Sequence, residues 1–190
     1  EPFKPPISFP GDKKGEGIIM LDYYFHEHVL QSPGASRLPV ELESLREFVV
    51  LWNKGIESLE RALKVVPQEK KKDAMRMLGL GKFILNSTKT AINVKKWWYL
   101  KRKLQVEADS KLAGKILDEM EAIAQAEIDN AVATIPLVEA DSRLGWAPEM
   151  GYRTDAEKIE WKIKQVARVL EEEIPKYRRI LELTSSNNEP

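Results

Sequence analysis

The sequence predicts an all-α fold: an antiparallel bundle of four long helices with an irregular proline-rich N-terminal arm. Three observations carry this. Apolar residues recur three or four apart over four long stretches, capping residues, prolines and glycines punctuate their ends, and most connections are short, which sets successive helices antiparallel. No internal repeat and no low-complexity tract interrupts the pattern.

Residues 1–17 hold Pro2, Pro5, Pro6 and Pro10 with Gly11, Gly15 and Gly17, a helix-breaking composition that predicts an extended arm or linker. The bundle domain is expected over 18–183. It opens on "IIMLDYYFHEHVL", a brief apolar run compatible with a short helix or a strand, and "QSPGASR" then reads as a loop. Pro39 suits the first turn of a helix, whose face is Leu42, Leu45, Val49, Trp52, Ile56, Leu59 and Leu63, up to Pro67. The next stretch, from about Gln68 to Val106, is apolar on more than one side and predicts the central helix, with Gly79 and Gly81 as places where it kinks or splits. Asp109 or Ser110 caps the third helix, which carries Leu112, Ile116, Met120, Ile123, Ala124, Ala131 and Ile135 and ends around Pro136 to Ala140. Thr154 and Glu157 match a capping box, so the last helix starts near Asp155, with Ile159, Ile163, Val166, Leu170, Ile174, Tyr177 and Leu181 on its core face. Pro175 predicts a kink within it, and residues 184–190 read as a disordered tail.

Thirty basic and thirty acidic side chains cancel over 190 residues, so no global field draws the chain to nucleic acid or to an anionic membrane. Neither is expected as a partner. No apolar run approaches the roughly 18 residues of a membrane span. The absence of cysteine excludes a disulfide framework and thiolate chemistry, and leaves the compartment open. The start at Glu1 rather than Met suggests a processed product or an excised piece of a longer protein.

Lys82, Lys89, Lys96 and Lys103 fall seven apart with Asn86 and Asn93 beside them, drawing a basic stripe along one face of the second helix. Such a row could grip phosphates or carboxylates; the plainer reading is a solvated face paired with acids such as Glu119, Glu121 and Glu127. In "NVKKWWYLKRK", Trp97 and Trp98 point about 100° apart on a helix, so one of them at most is central core, and the other reading is a platform for a sugar ring. His26 and His28 lack a third ligand, and no metal site or cofactor is expected. Phosphate-binding glycine loops, GxSxG and HExxH are missing, so no catalytic residue is assigned.

The stretch "EADSRLGWAPEMGYRTD", residues 139–155, is different in kind, since a connection of about twelve residues or more in a compact domain tends to be functional. Arg143 can fork onto a carboxylate or two hydroxyls, Asp141 and Glu149 can accept sugar hydroxyls, and Trp146 and Tyr152 can stack. Glu139 and Asp141 form an acid pair by type. Against this stands an ordered connection in which Arg143 pairs with Asp141 and Trp146 plugs the end of the bundle.

The strings "TIPLVEADSRLGWAPEMGY", "EKIEWKIKQV", "TAINVKKWWYLKRKL" and "GEGIIMLDYYFHEHVLQSPGASRLPVEL" resemble the helical C-terminal region of large bacterial glycan-degradation proteins related to alpha-glucuronidases. The likeness runs from about Gly15 to Leu183. It implies an accessory domain that acts on carbohydrate together with a catalytic domain not present in this chain, packs against that domain, helps wall its active site and supports homo-oligomerisation. On the same ground Asp141, Arg143 and Trp146, and more weakly Asn93, Lys96 and Trp97, become candidate substrate-binding residues beside Glu149 and Tyr152. The alternative is an independent helical module for protein–protein interaction.

Overall fold

The computed structural model describes residues 33–147 and 152–186. The chain divides into two compact units, Glu1–Ser44 and Leu45–Pro190. Of the first, the described part is the opening of helix α1 (Pro33–Leu63). The predicted arm, the apolar run with His26 and His28, and Glu149 lie outside the described residues.

In the second unit the rest of α1 leads through a 3-10 turn, Gln68–Lys70, into α2 (Lys71–Val106), followed by α3 (Ser110–Ala140). A two-residue ladder, β1 (Trp146–Ala147) with β2 (Tyr152–Arg153), then leads to α4 (Ala156–Arg168), a π-helical turn (Val169–Glu173) and α5 (Ile174–Ser186). The last three segments follow one another directly and make up the fourth long helix, so the described residues form the all-α bundle. Its antiparallel order is visible in its hydrogen bonds. Asn86 meets Thr134, Thr90 meets Glu127, and Asn93 meets Glu127, so pairing advances along α2 as it retreats along α3.

Two apolar clusters hold the helices together. One gathers Leu100 of α2, Ile116, Leu117 and Met120 of α3, and Ile174 of α5, with Trp97, Leu104 and Leu181 packed on it. The other gathers Ala131 and Val138 of α3, Leu144 and Ile159, with Phe83 and Ile163 against them. Leu117, 1% exposed, is the most enclosed large side chain of the core. Truncating such a leucine typically costs about 2–5 kcal/mol.

The structure departs from the sequence expectation at several boundaries, each for a local reason. Helix α1 begins at Pro33 rather than Pro39 and absorbs "PGASR", which read as a loop. Pro33 takes the first-turn place where a missing N–H costs nothing, and Pro39 lies within the helix on an exposed position. Helix α2 runs unbroken through its glycines. Gly81 instead lets α1 approach closely: the Trp52 indole N–H donates to the Gly81 carbonyl at 2.8 Å, and a Cβ at position 81 would sit 2.7 Å from the Ile56 Cδ1. Helix α3 runs through Pro136, which is exposed, as is Val132, whose carbonyl loses its partner there to solvent.

Asp109 caps α3 as expected, accepting from the amides of Lys111 and Leu112. The fourth helix is capped one residue later than the capping-box reading placed it. Asp155 accepts from the Lys158 amide at 3.0 Å, because the Thr154 amide is already committed to the Gly145 carbonyl at 3.1 Å. Pro175 is accommodated by the π turn ahead of it, where the Ile174 amide bonds to the Val169 carbonyl. That helix extends to Ser186, into the predicted tail. Among the described residues, no helix is long and apolar enough to cross a membrane.

Candidate functional site

Two features stand out from the core: a groove at one end of the bundle and a polar belt across its middle. The groove forms where the first turns of α2 face the last turn of α3 and the connection after it. An open hollow of about 790 Å³ is lined by Lys72, Met75, Arg76, Gly79, Leu137 and Arg143, among others. A second hollow beside it shares Arg76, Asp141, Arg143 and Leu144 and adds Asp73, Met77 and Leu80. Gly79 leaves its part of the wall bare, since a Cβ there would meet nothing within 4 Å.

The connection that forms the far wall is tightly built. The Leu144 amide donates to the Asp141 carbonyl, closing a turn, and the Leu144 side chain is buried in the second apolar cluster. Gly145 adopts φ 71°, and a Cβ there would lie 2.8 Å from the Thr154 Cβ and 3.1 Å from the Phe83 Cζ, so glycine is required on two counts. Trp146 then pairs with Arg153 and Ala147 with Tyr152 in the short antiparallel ladder.

Within the groove Asp141 is the organising acid. Arg143 forks onto it, with Nε donating to Oδ1 at 2.8 Å and a terminal nitrogen to Oδ2 at 2.6 Å, while the Arg143 amide also donates to Oδ1. Arg76 approaches the same carboxylate from α2 at 3.7 Å. The hydrogen bonds from the Arg143 side chain and amide hold the Asp141 carboxyl well below the usual carboxylate range, and the same pairing raises the Arg143 guanidinium. Asp141 is 16% exposed and Arg143 64%, so the acid is enclosed while much of the guanidinium faces outward. Both carboxylate oxygens of Asp141 thus accept from the Arg143 guanidinium, with Arg76 near one of them.

The belt lies between the two apolar clusters. Glu127, 10% exposed, accepts from Thr90 Oγ1 at 2.7 Å, Asn93 Nδ2 at 2.8 Å and Lys162 Nζ at 2.7 Å, joining α2, α3 and α4. One turn along α3, Asn130 donates to the Asn86 carbonyl at 2.8 Å and to Thr90 Oγ1 at 3.0 Å. Asn86 in turn donates to Thr134, whose hydroxyl donates to the Asn130 carbonyl. Each of these buried groups has a partner, as buried polar groups require.

The sequence-derived candidates therefore part company. Asp141 and Arg143 meet at the groove. The backbones of Trp146 and Tyr152 lie in the ladder beside it. Asn93, Lys96 and Trp97 do not join them, since Arg76 and Asn93 stand seventeen residues apart on one helix, about 25 Å along its axis. Asn93 is bound to Glu127, Lys96 is half-buried, and Trp97, partly buried, packs on the first apolar cluster. Trp98 is half-buried with the Arg102 guanidinium 5.9 Å from its ring centre.

The lysine stripe fits its plainer reading in kind at Lys82, though with a different acid from those expected. Lys82 pairs with Glu60 of α1 at 2.7 Å, whereas Glu121 is taken by Arg178 and Glu127 by Lys162. The residues that the sequence reading missed are Lys71, Lys72 and Arg76, whose only signal is a run of cations at the start of a helix. Glu127, Asn130 and Thr134, at i, i+3 and i+7 on the apolar face of α3, gave a clearer one. Compared with family models, with curated proteins and with solved structures, the chain gives no match in any of the three.

Proposed function

We propose that this chain is a helical docking domain, the accessory part of a glycan-degradation protein, which packs against a catalytic domain through the end of its bundle. The observation that carries the docking role is the groove: cationic side chains around an aliphatic floor, with Asp141 engaged by Arg143 and approached by Arg76. The glycan-degradation context is supported by the resemblance of "TIPLVEADSRLGWAPEMGY", which contains the far wall of the groove. The full reading frame of the gene tests it. A barrel-type glycosidase domain encoded in the same chain is the expected result; a frame with no carbohydrate-active domain overturns the glycan context.

A second reading keeps sugar as a direct ligand of this domain, favoured by the exposed fork of Arg143 at the groove. It predicts that neutral or acidic oligosaccharides shift the backbone resonances of Arg76, Asp141 and Arg143 when titrated into the chain.

A further inference from the structure

The chemistry of the groove points to a particular kind of partner. Lys71, Lys72, Arg76 and Arg143 stand along it against Asp73 and Asp141. One of those acids is already neutralised, since Arg143 and Arg76 both lean on Asp141. Lys71 and Lys72 are exposed, and among the described residues neither enters an ion pair. The local excess is therefore positive on a chain whose overall charge is zero, which is charge patterning of the kind that selects and orients an anionic partner.

Charge alone would admit any polyanion; the lining narrows it. Met75, Met77 and Leu80 are large apolar side chains left exposed on the wall from α2, and the partly buried Leu137 faces them across the groove. Methionine and arginine are enriched in protein–protein interfaces, and thioether chains adapt to varied apolar groups. Gly79 leaves room for a side chain of the partner to enter.

We infer that the groove binds an acidic peptide segment, with carboxylates meeting Lys71, Lys72, Arg76 and Arg143 and interspersed aliphatic side chains lying over Met75, Leu80 and Gly79. This rests on the docking role proposed above and names the surface that role would require on the partner. It does not depend on the glycan context, so the reading-frame result and the peptide result can fail separately.

The test titrates the full chain with an acetylated, amidated peptide of glutamate and leucine, its glutamine counterpart and an oligogalacturonate, followed by amide chemical shifts and calorimetry. The glutamate peptide should bind, shift the amides of Lys72, Arg76, Gly79 and Arg143, and weaken as salt is raised. Lys71→Ala with Lys72→Ala, which leaves the Asp141 pairing intact, should weaken it about tenfold, the loss expected for interactions worth roughly 1.4 kcal/mol. Gly79→Phe should abolish binding, since its side chain would grow into the groove from an open Cβ position, and an unchanged unfolding temperature would show that the loss is not one of folding. Equal binding of the glutamate and glutamine peptides overturns the proposal, as does binding unaffected by these substitutions or no binding of the glutamate peptide. Binding of the oligogalacturonate in preference to the peptide reassigns the groove to an acidic glycan.

Discussion

Gly145 and Asp141 show how much of the groove depends on single side chains. At Gly145 a left-handed φ of 71° combines with a Cβ position only 2.8 Å from Thr154, so Gly145→Ala should destabilise the chain by about 1–3 kcal/mol, read as a lowered thermal midpoint. For Asp141 the folded state lowers the pKa below the value of about 3.9 expected when unfolded. Its ionised form thus contributes stability that is fully present above about pH 4 and is lost as pH falls through the lower folded value. Comparing the parent with Asp141→Asn should show a difference in thermal midpoint that is steady from neutral pH to about 5 and shrinks below about 4. A gap that instead widened in acid would contradict the pairing. The Asp141–Arg143 contact was readable from the sequence because the two residues are neighbours in one turn. Arg76 was not, because nothing local tells which turn of α2 will face the end of α3.

The helices were the most readable part, since apolar spacing and caps are local signals, and the misplacements occurred where two local signals competed. Pro33 and Pro39 both suit a helix start, and Thr154 and Asp155 both suit a cap; at the second site the bond from the Thr154 amide to the Gly145 carbonyl decided between them. The glycines of α2 make the point sharply. By propensity Gly79 and Gly81 look alike, yet Gly79 faces open space and Gly81 the side chain of Ile56. Gly79→Ala should therefore stabilise by about 0.5–1 kcal/mol. At Gly81 the added methyl would lie 2.7 Å from the Ile56 Cδ1 and make that buried side chain shift, so Gly81→Ala should gain less than Gly79→Ala. Chemical denaturation should therefore place the midpoint of Gly79→Ala above that of Gly81→Ala.

Across the molecule, the all-α bundle followed from sequence, whereas the groove and the belt did not, because both depend on which faces of distant helices meet. The seven-residue spacing of Asn86 and Asn93 was visible, but it pointed outward to a lysine stripe; the acceptors that bring those amides inward lie on α3. Glu127→Ala should cost about 2–3 kcal/mol, somewhat softened by the access of Lys162 to water, which thermal unfolding would measure. The belt has a consequence for how this chain finds a single native state. Aliphatic clusters at the two ends of a long helix pair are nearly degenerate: a slide by one heptad would still bring leucines and isoleucines together. Such a slide would strand the carboxylate of Glu127 and the amides of Asn86 and Asn130 among hydrocarbon, an error far costlier than an imperfect fit of methyl groups. The belt therefore acts on the competing alignments more than on the native one, opening an energy gap that packing alone would leave narrow.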